Sequence, residues 1–280
     1  MPLCTLYLLA LHPTTSLPTF LKTLASSSLT PLVISRVIRW IILPSHLSTT
    51  SLLAQNIHWD ILLVLPGTAD LPPNLTALIA HSWRIAAGVP SALVADFAAK
   101  NETLLKPKGG SVPPLRKSAG IEKRAPSSQA LELSAELESW IAAFVKRGGP
   151  EANGTVSMFN LLAFKPGLKD SYLEYGRAFA SEVGSGHGGV AKVVGKAVAG
   201  SEGMDGSARA EGDVGGWDEI ALAHYPSIRH FGDMLTDKAY QEVNQRCRVP
   251  SLRDTAILMT SEVGILGLGE GKGKMGVARL

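Results

Sequence analysis

Leu9-Ala10-Leu11-His12-Pro13, near the start of the chain, returns later as Leu162-Ala163-Phe164-Lys165-Pro166. Trp59-Asp60 returns as Trp217-Asp218, Pro66 as Pro226, and Val89-Pro90-Ser91 as Val249-Pro250-Ser251. The order is kept and the offset drifts only by small insertions, which is the pattern of two copies of one unit of roughly 100 residues. Two such units can close around a shared interior.

Hydrophobic periodicity fills in the elements between these landmarks. In the first copy, strands are expected at Thr5–Leu11, Leu32–Leu43, Ile57–Leu65 and Ala92–Phe97, with helices at Ser16–Ser26 and Asn74–Ala87. In the second, strands are expected at Val156–Phe164, Val190–Val198, Trp217–Tyr225 and Thr255–Val263. Its helices are expected at Lys169–Val183, whose Tyr172, Tyr175, Phe179 and Val183 form one apolar stripe, and at Ser227–Gln245, with Ser227 as N-cap. Both copies read βαββαβ. Between them, residues 106–128 are rich in Lys, Arg, Pro, Gly and Ser and read as a flexible basic linker. An amphipathic helix follows at Gln129–Arg147, with Leu133, Leu137, Trp140, Ile141 and Phe144 on its apolar face, and must dock on one of the sheets. The Gly-rich stretch Ala199–Gly216 and the tail after Gly264 carry no foldable pattern. The expected organisation is residues 1–105 as a degenerate first unit, 106–128 as linker, 129–150 as a bridging helical segment, 151–264 as the second unit and 265–280 as a tail.

Composition narrows the function classes. A net charge of +3 with the basic residues scattered leaves no electrostatic footprint for nucleic acid. The most apolar stretch, Leu32–Leu43, is interrupted by Arg36 and Arg39, so no membrane span is expected. Cys4 and Cys247 form neither a disulfide framework nor a metal cluster, and no metal or other cofactor is expected.

Four blocks of the second copy, Val156–Lys165, Tyr172–Gly176, Trp217–Leu222 with Tyr225-Pro226-Ser227, and Phe231–Tyr240, resemble an uncharacterised bacterial and fungal family, the domain of unknown function numbered thirteen-thirty. That family lies in the dimeric α+β barrel superfamily. The resemblance covers about 110 residues and implies ferredoxin-like βαββαβ units whose sheets pair face to face, normally between two chains. Here both units lie on one chain, so the implied fold is α+β, an intramolecular pseudo-dimer with the sheets inside and the helices outside. Superfamily relatives include cofactor-free monooxygenases, isomerases, dehydratases and haem proteins, which bind small molecules between sheet and helices, an analogy that fold alone does not turn into a function.

Chemistry, if present, is expected in the second copy. His224 and Tyr225, at a strand-to-helix turn, are the candidate acid or base. Asn160, an amide inside an apolar strand facing the same side as Met158 and Leu162, would be a hydrogen-bonding anchor or would orient a ligand. Tyr175, Trp217, His230, Met234, Tyr240 and Arg246 are further candidate ligand contacts, with core packing, and for Arg246 the helix dipole, as the alternative roles. The run Gly184-Ser185-Gly186-His187-Gly188-Gly189 ends a helix and opens a strand, the reverse of a phosphate loop, so it reads as a turn with His187 exposed. The expected function is binding of a small apolar or aromatic molecule, with cofactor-free catalysis on it in one version. The alternative is a non-catalytic barrel that binds a ligand or a protein partner through the linker region. Ala278-Arg279-Leu280 resembles a variant of the peroxisomal address, which would add an import receptor as partner and makes the expected location peroxisomal or cytoplasmic.

Overall fold

β1 (Leu3–Leu11) and β5 (Val156–Phe164) occupy the positions expected from the repeated Leu-Ala-(Leu/Phe)-X-Pro landmark, and each is the centre of one half of the sheet. The computed structural model describes residues 1–116, 124–204 and 216–269. Its first half continues with α1 (Leu17–Ala25), β2 (Val33–Ile42), β3 (Ile61–Pro66), the single turn α2 (Pro73–Thr76), β4 (Ile79–Gly88), α3 (Ser91–Val94) and α4 (Phe97–Leu105). After α5 (Ala135–Arg147) and α6 (Pro150–Asn153) come β5, α7 (Lys169–Ala178), β6 (Val190–Ala197), β7 (Gly203–Met204), β8 (Glu219–Tyr225), α8 (Ile228–Leu235), α9 (Lys238–Val243), β9 (Leu252–Ser261) and α10 (Val263–Gly269).

The fold is α+β around one large antiparallel sheet. Its strands pair in the order β1-β3-β2-β9-β5-β8-β6-β4, with two-residue β7 beyond β4, and β4 also pairs with β1. The halves meet along two seams. β2 meets β9 from Arg36↔Ser261 to Ile42↔Ile257 through two register shifts, which bend the sheet, and β4 meets β6 only at Ala87↔Ala197 and Gly88↔Lys196. At the second seam a Cβ on Gly195 would lie 3.0 Å from the Gly88 carbonyl oxygen, so glycine permits the close approach.

Period-two alternation sorts the side chains. Leu6 and Leu8, Leu62 and Val64, Trp83 and Ile85, Phe159 and Leu161, Ile220 and Leu222, and Ala256 and Leu258 enter one shared core supplied by both halves. The opposite faces lie under helices. α1 covers Tyr7, Leu9, Ile61 and Leu63 in the first half, and α5, α7, α8 and α9 cover Met158, Leu162, Ile257 and Met259 in the second. α1 starts where Ser16 Oγ accepts the Thr19 N–H at 3.2 Å. α5 spans the β2–β9 seam: Leu137 and Phe144 pack into the second half's outer core beside Ile41 and Ile42, while Arg39 lies 4.5 Å over the Trp140 ring and pairs with Glu136.

The repeated Trp-Asp pair makes the same backbone contacts twice. Asp60 Oδ2 accepts the Leu11 N–H at 2.8 Å and Asp218 Oδ2 accepts the Phe164 N–H at 2.7 Å, tying each first strand's end to the start of its neighbour. The two indoles are buried in the shared core, Trp59 donating to the Leu52 carbonyl and Trp217 to Ser48 Oγ. Asp60→Ala and Asp218→Ala are each expected to cost ~0.5–1.5 kcal/mol in urea unfolding, with the double variant near their sum. A neutral result at one site would show that the two contacts are not equivalent.

Several expectations are corrected. The helix expected at Asn74–Ala87 is instead a single turn followed by β4, and the strand expected at Ala92–Phe97 is helical at Ser91–Val94. Trp83, Ile85 and Ala87 alternate into the shared core, and pairing of β4 with β1 outweighs a local helical spacing. The helix expected at Ser227–Gln245 breaks at Thr236-Asp237, where Asp237 caps α9 by accepting the Tyr240 N–H. Ser227 holds the N-cap position but its hydroxyl bonds His230 Nδ1 rather than a helix N–H. The insertion contributes β7, the tail contributes α10, and Ser128 at the end of the basic linker is buried. His187 is also buried, between Asp233 at 2.9 Å and Asp237 at 3.2 Å. Among the described residues no helix is long and apolar enough to cross a membrane, and both cysteines are free and buried.

Candidate functional site

β8 carries Glu219, Ala221, Ala223 and Tyr225 on its outer face, next to Asn160 of β5 and Ala191 and Val194 of β6. Three alanines and a valine leave space above the sheet, and the roof is aromatic, from Tyr172 and Tyr175 of α7 and Phe179 of the wider turn Phe179–Val183. Together they enclose a cavity of about 370 Å³. The roof is held by a chain of ring contacts: Phe164 to Tyr172 at 4.9 Å, Tyr172 to Tyr175 at 5.5 Å, and Phe179 to Tyr225 at 6.3 Å. Three residues of the stripe read from the sequence, Tyr172, Tyr175 and Phe179, therefore form a pocket wall.

Polar groups are few. Asn160 Nδ2 donates to the Met158 carbonyl at 2.8 Å, which fixes the amide. Tyr225 donates only to the Met234 sulfur at 3.7 Å, a weak acceptor, and Tyr175 shares a hydrogen bond with Tyr240 at 3.1 Å. Burial raises the pKa of all four phenols, Tyr172, Tyr175, Tyr225 and Tyr240, so they stay protonated at neutral pH. Glu219 differs. Burial pushes its carboxyl above the ordinary range, opposed by Lys169, whose Nζ lies 3.5 Å away.

The expected site residues separate into several places. Asn160, Tyr175 and Tyr225 line the cavity. Met234 and Tyr240 are fully buried and reach its wall only through the hydrogen bonds above. Trp217 faces the shared core instead, and Arg246 is on the surface in a 3.1 Å pair with Glu174. His230 is saturated by Ser227 Oγ at 2.8 Å and the Pro113 carbonyl at 3.0 Å. His224 does not join Tyr225: neighbours on a strand point to opposite faces, so its ring is buried on the shared-core side. There burial, with the Lys192 charge as a second cause, pushes its pKa down to about 3, and it is neutral and remote from the cavity at working pH. Glu219, Ala221 and Ala223 were missed. The alternation Glu-Ile-Ala-Leu-Ala-His-Tyr could have shown them as one face. Ala278, Arg279 and Leu280 lie outside the described residues.

The first half is not bare of polar groups. A wider groove of about 960 Å³ carries His12, His58, His81, Arg36 and Arg147, with Arg36 paired to Glu151 at 2.9 Å. Among the described residues no three His, Cys, Asp or Glu side chains are placed to hold a metal ion.

No family model and no curated protein matches the chain. Among solved structures, it is similar to a protein of unknown function from Rhodopseudomonas palustris, RPA0582, at 21% identity and a TM-score of 0.34, over 46% of this chain and 92% of that one. The methylated form of RPA0582 aligns at 20% identity and a TM-score of 0.33 over the same shares.

Proposed function

We propose that this chain is a small-molecule-binding α+β barrel of two ferredoxin-like halves, taking an apolar or aromatic guest between α7 and the outer face of the second half's sheet. The observation that carries the reading is the cavity, roofed by aromatic rings and floored by alanines, with Asn160 and Glu219 as its polar handles. The cyclic order of strand pairings supports the barrel, and the repeated Trp-Asp contacts support the two halves. Where the guest is also turned over, Glu219 is the group placed to exchange a proton with it, because its raised carboxyl pKa suits that task better than the buried imidazole of His224.

The neutral fluorophore N-phenyl-1-naphthylamine tests the site. It is expected to bind the wild type at one site with a blue-shifted emission. Ala221→Phe, which fills the floor, should weaken binding roughly tenfold or more, about 1.4 kcal/mol, with little change in melting temperature. Equal affinity in both proteins would place the guest elsewhere.

A further inference from the structure

A second set of polar groups gathers at one end of the shared core, away from the cavity. Register brings them together. Arg36 pairs with Ser261, which sets Ser35 beside Glu262, and Ser157 pairs with both Thr260 and His224. Thr155 and Ser35 lie on the faces that continue toward this end, and Lys192 enters from the bulge between Ala191 and Val193 of β6. α4 closes over them. Asn101 Nδ2 donates to Glu262 Oε2 at 2.8 Å, the Phe97 ring lies 5.8 Å from Lys192 Nζ, and the Leu104 backbone lies near the His224 ring. Lys192 and Glu262 form a direct ion pair, with 1% and 7% of their side chains exposed.

Four buried atoms in this group have no hydrogen-bond partner among the described residues: Ser35 Oγ, Thr155 Oγ1, Asn101 Oδ1 and His224 Nδ1. Buried polar atoms are rarely left so, and four in one place is a concentration that packing alone does not explain. Their chemistry is specific. The Asn101 oxygen is an acceptor, and His224 Nδ1 accepts or donates according to the ring's tautomer. Ser35 and Thr155 both donate and accept. The charges of Lys192 and Glu262 cancel, so the surroundings suit an uncharged guest.

We propose that this end of the shared core is a binding chamber for a small, uncharged hydroxyl compound, which donates to Asn101 Oδ1, accepts from Ser35 and Thr155, and meets His224 Nδ1 with a hydroxyl that can do either. Water and a small diol supply the same chemistry, and crystals of the full-length chain separate them. One set is grown without any alcohol and one is soaked in ethylene glycol. Round density within hydrogen-bond distance of at least two of the four atoms in both sets assigns the chamber to water. Elongated density appearing only after the soak, and lost in Ser35→Ala crystals soaked alike, assigns it to a diol. Density that survives Ser35→Ala unchanged marks an adventitious additive only and overturns a diol site. The proposal as a whole is overturned if neither set shows density there, or if the four atoms are found bonded to one another.

Discussion

Acidification is expected to destabilise the wild-type protein more steeply than a His224→Gln variant. In the folded chain the imidazole is buried, and burial followed by the nearby Lys192 charge lowers its pKa to about 3. In the unfolded chain it titrates near 6.5. Between these values the unfolded state binds a proton that the folded state refuses, so stability falls as pH falls from about 6.5 toward 3. Each pH unit in that window costs about 1.4 kcal/mol, or roughly 2–3 kcal/mol by pH 4.5. Carboxylates elsewhere titrate over part of the same range in both proteins, so the readout is the difference in pH slope from urea unfolding of the two. Equal slopes would mean that His224 reaches solvent and is protonated in the native state.

The Lys192–Glu262 pair should show a larger loss. Burial is the first cause of a lowered Lys192 pKa and Glu262 opposes it, so each charge is tolerated because the other is present. Lys192→Met leaves the Glu262 carboxylate with Asn101, at 2.8 Å, as its one remaining hydrogen-bond donor among the described residues and is expected to cost about 3–5 kcal/mol. Replacing both residues with Met removes the uncompensated charge and should recover most of that loss, because apolar replacements of buried pairs are often close to neutral. A double variant as unstable as the single one would show that packing volume, rather than charge, sets the cost.

How much of this was legible in the sequence differs from element to element. The bounds of β5 are legible because Val156–Phe164 is a near-continuous apolar run, buried on both faces and closed by Lys165-Pro166. The two Trp-Asp landmarks are legible as equivalent because each aspartate makes the same contact, to the end of the first strand of its half. β4 is not. Leu75, Leu78 and Ile79 have helical spacing, and the partner that makes the segment a strand, β1, lies some seventy residues earlier in the chain. At the site, Asn160 and Tyr175 follow from strand and helix periodicity, and Tyr225 from its place at a strand-to-helix turn. Adjacency in the sequence groups His224 with Tyr225, but adjacency on a strand puts their side chains on opposite faces. The Lys192–Glu262 pair joins two ends of the second half through a bulge, and the bulge reverses which β6 residues face inward without leaving a local mark in the sequence.

Native mass spectrometry of the freshly purified full-length chain, compared with the denatured sample and with Ala221→Phe treated alike, tests the proposed cavity function most directly. The expected result is a monomer that takes up one molecule of an added neutral aromatic, releases it on denaturation, and loses that uptake in Ala221→Phe. Uptake that persists unchanged in Ala221→Phe, or no uptake by the wild type at all, would contradict a binding site between α7 and the second half's sheet.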